Sequence, residues 1–108
     1  MEKNKLNTNI EIIAEIANAH QGNSELAKRI ALEAIDNGAD AIKFQIYVAD
    51  ELIINKHKRF NHFKSQSFSK NTWSKLLNFF KKKNINLYCD VFGEKAFEIA
   101  NGSGVDGF

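Results

Sequence analysis

The feature that most limits how this chain can fold is an alternation of short β-branched runs with amphipathic helical stretches along its 108 residues. Residues 10–17 (IEIIAEIA), 41–47 (AIKFQIY) and 85–92 (INLYCDVF) read as three buried strands. Between the first two, Leu26, Ala27, Ile30, Ala31, Ala34 and Ile35 fall in pairs four apart, one apolar stripe of a helix. Ser24 is placed to cap that helix, and Gly38 to stop it just beyond its C-cap. After a polar, aromatic-studded stretch over 48–71, Trp73, Leu76, Leu77 and Phe80 mark a second amphipathic helix, with Asn84 suited to the left-handed turn that ends it. Residues 93–101 form a short third helix, Gly102 and Gly104 a turn, and 105–108 the start of a fourth strand. The order β-α-β-α-β-α-β calls for parallel strands joined by right-handed helical crossovers, an α/β fold.

Size and charge narrow the function classes. A polar leader over 1–9 precedes a single unit over 10–108, with no linker to a second domain. Fifteen Lys and Arg against 13 Asp and Glu leave a net charge of +2, too small to imply nucleic acid or an anionic membrane as partner. One cysteine, Cys89, precludes an internal disulfide. The leader has no apolar h-region and no run is long enough to span a membrane, so the expected location is the cytoplasm. Three and a half parallel strands leave sheet edges open. The expectation is the first part of something larger, or a chain that forms homo-oligomers.

Side chains alternate across a strand, so parity sorts the faces. Ile42, Phe44 and Ile46 share one face, as do Leu87, Cys89 and Val91, and Ile12, Ala14 and Ile16. The opposite faces carry Lys43, Gln45 and Tyr47; Asn86, Tyr88, Asp90 and Phe92; and Glu11, Ile13 and Glu15. Glu15, Lys43, Gln45 and Asp90 are thereby expected to converge at the C-terminal end of the sheet, where parallel α/β folds place their sites. An ammonium within a strand needs an anion. Glu15 and Asp90 would make a structural ion pair with Lys43; a bound carboxylate or phosphate would make it an anion site.

IIAEIANAHQG, then GADAIKFQ, then LYCDVFG after a helix resembles the N-terminal half of the N-acetylneuraminate (sialic acid) synthase, or NeuB-type, family. The resemblance runs from about residue 10 to residue 108. It implies the first three and a half βα units of a TIM (β/α)8 barrel. It implies condensation of phosphoenolpyruvate with an N-acylated hexosamine-type aldose to a nonulosonic acid, with release of phosphate. Carried onto this chain, Glu15 matches a catalytic glutamate at the end of the first strand, Lys43 the lysine that holds phosphoenolpyruvate, and Gln45 a glutamine that contacts the sugar. His20 matches a loop histidine without an assigned role. A divalent metal, Mn²⁺ or Mg²⁺, is implied, with ligands beyond this chain.

The chain also departs from the family pattern. Cys89, Asp90, Val91 and Phe92 stand where many members have Ser-Thr-Pro-Phe, so Asp90 replaces a hydroxyl at the phosphoenolpyruvate pocket. A carboxylate about 4 Å from an anion costs about 4 kcal/mol at an effective dielectric near 20, unless Lys43 cancels it. Ala17, Ala19 and Gln21 replace the commoner Gly, Asn and Asn. The KHKRFNHFK stretch over 56–64 interleaves cations with Phe60 and Phe63, as a single-strand nucleic-acid grip would, but its few cations sit in a βα loop, where a mobile substrate lid is the more ordinary explanation. His57 and His62 have no zinc-ligand spacing. Cys89, on the apolar parity, reads as a core residue. The reading of a different class is a non-catalytic interaction module that assembles through its open sheet edge.

Overall fold

The strands pair in the order β1 (Ile13–Ala17), β2 (Ala41–Tyr47), β3 (Asn86–Phe92), all parallel. The computed structural model describes residues 9–108. The leader expected over 1–9 therefore lies, save for Asn9, outside the described residues. α1 (Ser24–Asp36) links β1 to β2, α4 (Lys70–Lys81) leads into β3, and α5 (Glu94–Gly102) follows it. The polar stretch after β2 holds two short helices that sequence periodicity does not mark, α2 (Ala49–Leu52) and α3 (Phe60–Gln66). α3 buries no residue, so it has no apolar stripe to detect.

The helix ends follow backbone hydrogen-bond needs. Asn23, one residue before the expected Ser24, caps α1: its Oδ1 accepts from the Leu26 N–H at 3.1 Å. The C-terminus closes at Gly38, whose φ is 102°, with the Gly38 N–H bonded to Ile35 and the Ala39 N–H to Ala34. Ser69 caps α4 by accepting from the Thr72 N–H. Asn84 adopts the positive φ expected of it, 25°.

α1, α4 and α5 cover one face of the sheet. Phe44, Ile42, Ile46, Leu87 and Cys89 are fully buried there against Ala27, Ala31, Trp73, Leu77, Phe80, Ala96 and Ala100. Phe44 lies edge-on to Trp73 with ring centroids 5.8 Å apart, and Phe80 packs at 5.7 Å. The other face carries the polar parity. Sequential strand order with these helices on a single face is the arrangement of barrel units; a doubly wound sheet has helices on both.

Two expectations are corrected. β1 starts at Ile13 rather than at residue 10, and Ile10 and Ile12 are 70% and 54% exposed. The entry to the strand is tied by polar contacts instead: Asp40 Oδ2 accepts from the Ile12 N–H, and the Asp40 N–H donates to the Ile12 carbonyl. At β3, where an open sheet edge is expected, the apolar residues Ile85, Leu87, Val91 and Phe92 are largely covered. Leu87 is fully buried, and Ile85 and Val91 are half-buried against the core; of the four residues in question Phe92 is the exposed one. The start of the fourth strand also pairs with β3. Gly107 bridges Tyr88 in parallel, its carbonyl takes the Cys89 N–H at 3.1 Å, and the Asp106 N–H donates to Leu87 at 2.7 Å.

Candidate functional site on the inner face of the sheet

β2 is hydrogen-bonded on both sides, so its side chains are the most firmly placed in the sheet. Lys43 sits opposite Glu15 of β1 and Tyr88 of β3; Gln45, two residues further, sits opposite Asp90. Lys43 Nζ lies 3.3 Å from Asp90 Oδ2 and 3.7 Å from Glu15 Oε1. The hydrogen bond to Asp90 holds the ammonium above the usual lysine range; partial burial opposes this, and the charge of Glu15 adds to it. The side chains are partly open, 28% for Lys43, 33% for Asp90 and 51% for Glu15, so a ligand can reach all three. Lys43 and Asp90 border a hollow of about 280 Å³ shared with Glu11, Tyr88 and Phe108.

Of the residues expected at the site, Glu15, Lys43 and Asp90 are in contact and Gln45 is in register beside them. His20 stands apart. It is 1% exposed and its ring lies 4.5 Å from Phe68. Its Nδ1 accepts from the Gly22 N–H at 2.9 Å, which leaves the proton on Nε2. Burial pushes its pKa down and keeps it neutral. In this position His20 shapes the turn after β1. That turn is tight: a Cβ on Gly22 would come within 2.3 Å of the Ser65 carbonyl oxygen.

Three further groups on this side of the fold come from the structure. Glu11, just before β1, reaches across β2 to β3, accepting from Asn86 Nδ2 at 2.7 Å and from the Tyr88 hydroxyl at 3.0 Å. The signal was present in parity, which put Glu11, Asn86 and Tyr88 on one face, and Ala41 between them is too small to obstruct the contact. Glu51 of α2 accepts from the Lys95 N–H at 3.0 Å and so caps α5, which has no side-chain cap of its own. Gly93 makes room for it, since a Cβ there would lie 2.9 Å from Glu51 Oε1. No sequence pattern signals this contact. Tyr47 donates its hydroxyl to the Phe63 carbonyl at 3.0 Å and so ties α3 to the end of β2.

The arrangement can hold a small anion at Lys43 and hydroxyl groups at Gln45. Among the described residues no group of three or more His, Cys, Asp or Glu is gathered to bind a metal, and Glu15 and Asp90 are engaged with Lys43. Cys89 faces the core, and burial pushes its thiol up to about 12, which makes it a packing residue rather than a nucleophile. No helix among the described residues is long and apolar enough to cross a membrane.

A sequence model of the NeuB family matches residues 30–108. An uncharacterized protein of Methanocaldococcus jannaschii is 33% identical over 97 residues, which cover 90% of this chain and 29% of that protein. The N,N'-diacetyllegionaminic acid synthase of Legionella pneumophila is 48% identical over 42 residues, 39% of this chain and 12% of the relative. Among solved structures, the N-acetylneuraminic acid (sialic acid) synthetase of Leptospira borgpetersenii, crystallised with citrate, superposes with a TM-score of 0.80 at 30% identity. That match covers 98% of this chain and 39% of the synthetase. The chain thus spans well under half the length of each of these proteins, and it folds as the first βα units of a TIM barrel.

Proposed function

The chain belongs to the NeuB family, and from that premise we propose that it forms the phosphoenolpyruvate-binding part of a synthase that makes a nonulosonic acid. The acceptor is an N-acylated hexosamine-type aldose. The observation that carries the reading is Lys43, a partly exposed ammonium on the inner face of the central strand, with Gln45 two residues further along the same face. A fixed cation suits a ligand with two or three negative charges. Gln45 offers both an amide donor and a carbonyl acceptor to a sugar hydroxyl. Glu15, the most open of the three charged groups, is the carboxylate able to meet a proton or hydroxyl of the reacting acceptor.

The enol carbon of phosphoenolpyruvate forms a bond to the aldehyde carbon of the acceptor, and the aldehyde oxygen takes up a proton. Water then adds to the oxocarbenium centre left on the former enol, with loss of a proton. Phosphate leaves with the bridging C–O electron pair, and a ketone remains. The implied divalent metal, Mn²⁺ or Mg²⁺, does not fit the residues described, so its ligands are proposed outside this chain. A cytoplasmic location and a homo-oligomeric state belong to the same proposal. A phosphate-release assay on the complete protein, with phosphoenolpyruvate and N-acylated aldoses, tests it. Release that depends on both substrates is expected; release without an aldose, or none with any, would overturn it.

A second reading, assembly through the edge of β1, which pairs with no further strand among the described residues, draws on the exposure of Ile10, Ile12 and Ile13. Light scattering on the purified chain distinguishes it, since concentration-dependent association lost on Ile12→Lys is expected only there.

A further inference from the structure

Two carboxylates already hold the Lys43 ammonium that a ligand would meet, with Asp90 the nearer at 3.3 Å and the less exposed of the two. Glu15, Lys43 and Asp90 together carry one net negative charge, so an anion that approaches Lys43 meets a pair of carboxylates before it meets a cation. Resting on the reading of Lys43 as an anion-binding residue, we propose that Asp90 is the specificity-determining residue of this site, an internal counter-ion that a small phosphate-bearing anion must displace to bind.

The geometry provides for that exchange. Asp90 sits opposite Gln45 in the β2–β3 register, so a carboxylate leaving Lys43 has a primary amide donor beside it. Tyr88, opposite Lys43 itself, gives its hydroxyl to Glu11 and does not compete for the ammonium. Glu15 is further from Lys43, at 3.7 Å, and half exposed, so it can stay near the ammonium or yield at small cost. Asp90 therefore sets the anion affinity by what it withdraws from Lys43, acting as a positioning residue. A neutral group in its place leaves the full ammonium charge to the ligand.

Calorimetric titration of phosphoenolpyruvate into the full chain tests the inference in the wild type and in Asp90→Asn, Asp90→Glu, Lys43→Met and the double variant Lys43→Met/Asp90→Asn. Asp90→Asn is expected to bind about tenfold tighter or more, in keeping with loss of one charge-assisted competitor. Asp90→Glu, which keeps the charge, should stay within about threefold of wild type. The double variant should lose the gain. Should Asp90→Asn fail to fold, Asp90→Thr is read in the same way. The wild type also supplies a measurement free of substitution: the Asp90 carboxyl carbon resonance should move at saturating ligand. Equal affinity of wild type and Asp90→Asn, with binding lost in Lys43→Met, would overturn the role of Asp90 and leave the anion site standing. Weaker binding by Asp90→Asn, or an unmoved carboxyl resonance at saturation, would also overturn it. Binding by none of the proteins would remove the anion reading itself, and this inference with it.

Discussion

At residue scale, the turn after β1 holds two side chains in a backbone region they rarely enter. Ala17 has a φ of 49° and Gln21 a φ of 52°, the left-handed region that glycine and asparagine enter most easily. The chain adopts this turn against the preference of both side chains. The β1–β2 register shifts at this point, with Glu15 opposite Lys43 and Ala17 opposite Phe44. Relief of the steric cost at Ala17 outweighs the extra chain entropy of glycine. Ala17→Gly is expected to stabilise the fold by about 0.5–1 kcal/mol, a rise in Tm of about 2–6 °C. Thermal melting checks it, and a fall in Tm would count against the strain. The placement of Lys43, Gln45 and Asp90 on one face was legible from alternation, because they keep strict parity in two well-paired strands. The role of His20 was not. Nothing in a sequence says that a loop histidine will turn inward and accept from its neighbour's N–H.

At the scale of elements, the start of the fourth strand depends on one carboxylate. Asp106 Oδ2 accepts from the Leu87 N–H at 2.8 Å, and Oδ1 lies 3.3 Å from Lys81 Nζ. The backbone N–H of Leu87, with the Lys81 ammonium assisting, holds the carboxyl below its usual range against a smaller effect of burial. A carboxyl depressed in the folded state contributes stability above its unfolded value, about 3.9, and that contribution is lost as pH falls through the lower folded value. Acid should therefore free the 106–107 segment from β3 while β1 and β2 stay paired. Hydrogen exchange reads this at the Cys89 amide, which donates to Gly107. Its protection should fall relative to that of β2 amides as pH drops below the unfolded carboxyl value of about 3.9, and already at pH 7 in Asp106→Ala. Parallel loss at both places would refute the tie. β2 was read in full because every residue of its outward face is apolar. β1 was overextended because Ile10 and Ile12 look like strand residues, and only the start of pairing at Ile13↔Ala41 shows that they are not.

For the whole molecule, the governing asymmetry is a sheet with three helices and its aromatic core on one face and a charged ladder on the other. That division was visible in sequence, since alternate residues of each strand separate apolar from polar. The short helices over the C-terminal side were not, because α3 is exposed and is tied down through the Tyr47 hydroxyl and the backbone approach of Gly22 to Ser65. A chain that spans 39% of a synthetase and matches it at a TM-score of 0.80 brings to the inner face a lysine, two carboxylates and a glutamine in fixed register. The central claim is that this face binds a small polyanion through Lys43. Calorimetric titration of phosphoenolpyruvate into the full chain, wild type beside Lys43→Ala, tests it most directly. The account predicts that Lys43→Ala binds more than about tenfold more weakly, as loss of a charge-assisted contact requires; equal affinity of the two proteins would contradict it.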